Sequence, residues 1–185
     1  MHAETTRLSL RELALSDTPN IYALDSIPDN ARYQTWPPRT PESADEFVQV
    51  AVSCSEESPR TFVELAVSVA TNPNSAEKTE FIGRVGAHID SKEQTAELWF
   101  SFMPHAQGKG YATEAVGALI ELLRAARKGQ EVPHFNRLLI ECDPRNTASR
   151  RLAERASFVM QSCTERAFEC KGEWVGSMVF VRDAD

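Results

Sequence analysis

A mixed α/β fold, its central sheet mostly antiparallel with about seven strands and flanked by helices, is what this sequence predicts. Three observations carry that expectation. Val63, Leu65, Val67 and Val69 alternate along the chain at the period of a strand, as do Leu98, Phe100 and Phe102. Ala112, Val116, Leu119, Ile120 and Leu123 recur at the three-and-four spacing of one helix face. The second half of the chain runs strand, helix, strand, helix before two closing strands, an order that puts helices on both faces of one sheet.

The elements follow in order. Leu8 and Leu10, alternating with Arg7, Ser9 and Arg11, mark the first strand. An Asp-Thr-Pro signal opens a short helix over about 17–25, and an irregular stretch holding Trp36-Pro37-Pro38-Arg39 comes next. Thr40 and Pro41 read as N-cap and first residue of a second helix through Phe47, Val48 and Val52. The strand over 63–69, a polar turn at Thr71-Asn72-Pro73-Asn74-Ser75, the strand with Val85, Ala87 and Ile89, and the strand over 97–103 form a meander. The amphipathic helix stops at the Lys128-Gly129 break, and a buried strand occupies 138–142. Asn146 or Thr147 caps a helix with Leu152 and Ala156 on its apolar face, and strands near 158–162 and 174–181 close the chain.

Composition narrows the functional classes. At 185 residues and 42% hydrophobic, the chain suits one domain over 1–185. A net charge of −7 argues against a nucleic-acid or anionic-membrane partner, which would call for a basic stripe. No apolar run reaches the length of a membrane span and the start is polar, so a soluble, cytoplasmic protein is expected. Cys54, Cys142, Cys163 and Cys170 form no Cys-x-x-Cys pair, and the four histidines supply no metal spacing beside them. Reduced thiols and no metal are therefore expected, with Cys142 a small core residue.

The most informative segment is Gln107-Gly108-Lys109-Gly110-Tyr111-Ala112-Thr113-Glu114, where an apolar strand hands over to the amphipathic helix. Two glycines let the backbone turn tightly and approach a ligand. The first N–H groups of the helix lack intrahelical partners, and with the positive end of the helix dipole they favour an anion. Neither Gly-x-Gly-x-x-Gly nor a P-loop is present.

The segment fits Gln/Arg-x-x-Gly-x-Gly/Ala, read on Gln107, Gly110 and Ala112, and so resembles the coenzyme A pyrophosphate loop of the GNAT N-acetyltransferase superfamily. Around it, Ala96-Glu97-Leu98-Trp99-Phe100-Ser101-Phe102-Met103-Pro104 and the stretch from Arg137 through Asp143-Pro144-Arg145-Asn146 to Leu152 resemble the ribosomal-protein alanine N-acetyltransferase (RimJ/RimL-like) branch. So do Arg7-Leu8-Ser9-Leu10-Arg11 and Lys171-Gly172-Glu173-Trp174, and the matches span nearly the whole chain in order. The resemblance implies a GNAT fold in which the parallel strands over 97–103 and 138–142 splay apart to admit the pantetheine arm. One departure stands out: Ala156-Ser157-Phe158 occupies the place of the family's Gly-Phe. If that backbone needs positive φ, Ser157 costs about 1 kcal/mol.

The resemblance also assigns roles. It places acetyl-CoA on Gly108, Lys109, Gly110, Tyr111, Ala112 and Thr113, with Gln107 and Lys109 as side-chain partners, although Lys109 read by itself also suits a solvated surface. The backbone of Phe102 and Met103 faces pantetheine, as does Asn146, which equally suits a helix cap. Arg150 or Arg151 meets the 3′-phosphate or lies on a solvated face. Ser149 is the candidate general acid for the leaving thiolate. Glu97 is the candidate base, with Glu141 and Asp143 as competitors and a plain solvent-side residue as the other reading. Trp36, Arg39 and Trp174 line the acceptor pocket or simply pack.

Together these imply an acetyl-CoA-dependent N-acetyltransferase acting by direct transfer without a metal. The acceptor is an amine: a peptide N-terminus, a polyamine, an aminoglycoside or another small amine. A non-catalytic acyl-CoA-binding module with the same fold is the alternative, and monomer and homodimer both remain open.

Overall fold

The computed structural model describes residues 1–70 and 79–185. Its sheet has eight strands in the order β1-β2-β3-β4-β5-β6-β8-β7. These are β1 (His2–Glu4), β2 (Leu8–Glu12), β3 (Phe62–Ala70), β4 (Thr79–Asp90), β5 (Thr95–Phe102), β6 (Arg137–Cys142), β7 (Val159–Cys170) and β8 (Glu173–Asp183). Every neighbouring pair is antiparallel except β5 and β6. The strand beyond the expected seven is β1, which pairs His2 with Arg11 and Glu4 with Ser9. Three largely polar residues carry no alternation that a sequence pattern can register. The turn expected at Thr71 to Ser75 lies outside the described residues.

Helices α1 (Thr18–Asp25), α2 (Pro28–Ala31) and α3 (Pro41–Ser55) precede the meander, while α4 (Tyr111–Lys128) and α5 (Thr147–Arg155) alternate with the later strands. Thr40 caps α3 as its sequence predicts: its side-chain oxygen accepts from the Ser43 N–H at 3.2 Å, and Pro41 stands at N1. Asn146 caps α5 by accepting from the Ser149 N–H at 3.1 Å.

The core has two parts, one on each face of the sheet. Val116, Leu119, Ile120 and Leu123 of α4 pack with Leu65, Val85 and Leu98 in the larger cluster. Fully burying four such side chains is worth roughly 6–12 kcal/mol before chain entropy. On the other face, Ile21 of α1 and Ala44, Val48 and Ala51 of α3 pack against Ala66. The helices thus grip the sheet from both sides and leave its splayed centre between them.

β7 runs much longer than the 158–162 expected, and nearly all of it is exposed at the sheet edge. An edge strand with no buried face lacks the apolar alternation by which a strand is read. It joins β8 through Lys171 and Gly172, both at positive φ (51° and 82°), as a tight hairpin turn of this hand requires.

Ser157 has φ of 65°. Its N–H donates to the Glu154 carbonyl at 3.1 Å and the Phe158 N–H to the Ala153 carbonyl at 2.9 Å, which together close α5 in a Schellman arrangement. Serine therefore occupies a left-handed position that favours glycine, at a cost of about 1 kcal/mol.

Candidate functional site

The site begins where β5 and β6 part. Their parallel register holds Thr95 to Arg137, Ala96 to Leu138 and Glu97 to Leu139, and no ladder pairs them beyond that point. Two cavities open there, of about 590 Å³ and about 600 Å³. Tyr33, Gln34, Phe100, Asn146 and Ser149 line both, so the two meet in the splay.

The first cavity runs along the glycine loop. Gln107, Gly108, Gly110, Tyr111, Ala112 and Thr113 line it together with Phe102, Leu152 and Arg155. Gly108 and Gly110 have φ of 73° and 81°, and Gly110 is the N-cap of α4. Among the described residues, the N–H groups from Gly108 to Thr113 donate to no protein acceptor. Consecutive free donors at the positive end of an 18-residue helix form an anion cradle.

Several residues named from sequence stand differently. The Gln107 amide turns inward and donates to the Phe102 carbonyl at 3.0 Å, tying the loop to the end of β5. The Met103 N–H is spent on the Ile82 carbonyl at 2.9 Å, and Met103 lines neither cavity. Lys109 and Arg150 are likewise outside both linings, and Arg150 pairs with Glu154 at 3.0 Å one helical turn on. Arg155 stands in the cleft instead, its Nε 3.5 Å from Thr113 Oγ1. The three-residue spacing Ser149, Leu152, Arg155 was the available signal for it, since it places all three on one stripe of α5.

The second cavity lies on the opposite side of the junction, over the α1–α3 face of the sheet. Trp36, Arg39, Phe47, Glu64, Arg84, Glu97, Trp99, Glu141 and Cys142 are among its walls. Trp174 is not; it is about half exposed and lies under the Arg166 guanidinium at 5.0 Å. Alternation along β8 turns Val175 inward and Trp174 out.

A buried ion network underlies this cavity. Asp25 accepts from Arg84 Nη2 at 3.2 Å and from Arg39 Nε at 3.0 Å, while Arg84 Nη1 donates to Glu64 at 3.1 Å. Trp99 Nε1 completes it by donating to Glu64 at 2.7 Å. The indole reaches Glu64 across Gly86, where a Cβ would come within 2.5 Å of Trp99 Nε1. Arg39 also stacks on Trp36 and Phe47, at 4.8 and 4.5 Å. It lines the cavity as a structural member of the network.

Glu97 opens into the cavity and keeps part of its side chain exposed there. Burial, then the charge of Glu141, pushes its carboxyl above the ordinary carboxylate range, with His88 opposing. Glu141 accepts from the Ser177 hydroxyl at 2.5 Å. Asp143 is a different case: the hydrogen bonds of Arg145, the shortest at 2.6 Å, hold it below the usual range. Cys142 is half-buried against the cavity, and burial with its acidic neighbours pushes its thiol up to about 11. A thiol protonated at neutral pH is a poor nucleophile. Among the described residues no group of histidine, cysteine and carboxylate side chains is placed to hold a metal ion.

The family model described as acetyltransferase (GNAT) domain matches residues 7–159. The chain is 28% identical over 178 residues to the "Uncharacterized N-acetyltransferase p20" of Bacillus licheniformis, covering 95% of this chain and 92% of that one. It superposes with a TM-score of 0.80 on the acetyltransferase from Salmonella typhimurium that modifies the N-terminal serine of ribosomal protein L7/L12, at 20% identity over 98% of this chain and 97% of that one. With the spermidine N-acetyltransferase from Vibrio cholerae, solved with coenzyme A and spermine, the TM-score is 0.78 at 18% identity, covering 97% of each. The last two likenesses are of fold.

Proposed function

The chain belongs to the GNAT acetyltransferase family, and from that membership we propose that it moves the acetyl group of acetyl-CoA directly to a primary amine, either a peptide N-terminal α-amine or a small-molecule amine. The observation that carries this reading is the junction of the two cavities at Phe100, Asn146 and Ser149, because direct transfer needs both substrates held at once with their reacting atoms in contact. In this reading the free N–H groups from Gly108 to Thr113 cradle the pyrophosphate, and the cationic Arg155 adds a charge-assisted contact. Unpaired backbone of β5 beyond Glu97 receives the pantetheine arm in the splay.

The amine enters from the second cavity. Glu97, its pKa raised, takes a proton from it directly or through water as the general base. Ser149 lines both cavities, and among the described residues its hydroxyl has no protein partner, which suits a hydrogen bond to the leaving thiolate. Cys142, held protonated, supports transfer without an acyl-enzyme. Two relatives by fold act on a protein N-terminus and on spermidine, which keeps both amine classes in view for a cytoplasmic enzyme.

Thiol release from acetyl-CoA, measured against a panel of peptide N-termini, polyamines and aminoglycosides, tests the proposal. Release with one class establishes the activity and names the acceptor. Coenzyme A binding without release on any of them favours an acyl-CoA-binding module.

A further inference from the structure

We propose that Arg7, immediately ahead of β2, is the residue that holds the glycine loop in its anion-binding form. The inference rests on the pyrophosphate reading of that loop. Arg7 lines neither cavity, so it acts through the loop and is a positioning residue.

Three contacts bind it there. Arg7 Nη1 donates to the Lys109 carbonyl at 3.0 Å. Its Nε donates to Glu114 in the first turn of α4 at 2.7 Å, with Nη2 at 2.6 Å from the same carboxylate oxygen. Its guanidinium lies 4.7 Å over the ring of Tyr111, the first residue of α4. Glu114 is itself fixed by the Arg7 N–H at 3.1 Å and the Thr5 hydroxyl at 2.6 Å. Burial pushes the Glu114 carboxyl up, but the Thr5 and Arg7 hydrogen bonds outweigh it and hold the group below the usual range.

The consequence follows from peptide geometry. In a trans peptide the carbonyl and the N–H point in opposite directions. With the Lys109 carbonyl held toward Arg7, the Gly110 N–H of the same peptide points away from Arg7 and, donating to no protein acceptor among the described residues, is left for a ligand of the cleft that Gly110 lines. Glycine at φ of 81° is otherwise free to rotate that peptide, so an external tie is what fixes it. Glu114 has a second use: it neutralises a guanidinium that would otherwise oppose the positive end of α4.

Calorimetric binding of coenzyme A to the intact protein and three variants tests this, with melting temperatures alongside. Arg7→Ala is expected to raise Kd roughly tenfold, the scale of one charge-assisted hydrogen bond. Arg7→Lys, able to serve the carbonyl or the carboxylate but not both, is expected to fall between. Glu114→Gln is the discriminating variant: a brace loosens and binding weakens, whereas a direct phosphate ligand is set free and binding tightens. Unchanged affinity in Arg7→Ala, or tighter binding in Glu114→Gln, overturns the proposal. Should Arg7→Ala fail to fold, the other two variants decide it. A parent protein that binds no coenzyme A removes the pyrophosphate reading first and this inference with it; a parent that binds, with variants that match it, removes this inference alone.

Discussion

The two cavities that meet at Ser149 are made from different material. The cavity along the glycine loop, proposed for the coenzyme, offers backbone: consecutive N–H groups between Gly108 and Thr113 and a strand edge left free by the splay after Glu97 and Leu139. The second cavity, proposed for the acceptor, draws on residues of α3, the segment 32–36, four strands of the sheet centre and the β7–β8 hairpin, over a buried side-chain network of Asp25, Glu64 and Arg84. Backbone sites are written in a few adjacent residues, so they tolerate change elsewhere and are sensitive at glycines. Side-chain sites depend on groups far apart in sequence whose burial is also structural. Recognition and stability are separable in the first and entangled in the second.

Variants test that separation. The largest effect is expected at Asp25, which accepts from both Arg39 and Arg84. Asp25→Ala leaves Arg39 without its carboxylate and Arg84 with Glu64 alone, and should cost about 3–5 kcal/mol in urea unfolding, while coenzyme A affinity in the folded fraction stays near that of the parent. Gly110→Asp is the mirror experiment. It puts a side chain at φ of 81° and a negative charge in the anion cradle, and calorimetry should show roughly a hundredfold weaker coenzyme A binding for about 1 kcal/mol of stability. Equal losses of stability and binding in both variants would break the comparison.

A smaller effect sharpens the acceptor side. Glu97→Gln should lower kcat/KM roughly tenfold to a hundredfold, since water can replace the base in part. As the proposed base, Glu97 would work only above a raised pKa, so the acid limb of kcat/KM should lie above the ordinary carboxylate range. Glu141→Gln removes the like charge and should move that limb to lower pH, with His88 across the strand pair unchanged. A limb that does not move assigns the proton to another group. The smallest effect is at Ser157, where Ser157→Gly relieves the left-handed strain and should stabilise by about 1 kcal/mol, a rise of roughly 2–4 °C in Tm.

The same contrast explains what the sequence made legible. The glycine loop, the caps at Thr40 and Asn146 and the apolar face of α4 are local patterns of a few residues, and each stands where the sequence predicts it. β1 and most of β7 were invisible because neither has a buried face to print a period. Trp36 and Arg39 line the second cavity, but that Arg39 belongs to Asp25 follows only from a pairing between α1 and the chain ahead of α3. Arg7 lies 102 residues from the carbonyl it holds, a separation over which no spacing rule operates. Trp174 was named for its residue type, and the one-residue alternation of β8 turned it outward.

Initial rates over a grid of acetyl-CoA and amine concentrations test the central claim most directly, namely that the acetyl group crosses between two substrates held together at the junction of the cavities. Intersecting double-reciprocal lines are the predicted result, because both substrates must be bound before transfer. Parallel lines, with an acetyl group recovered on Cys142 after incubation with acetyl-CoA alone, would contradict it.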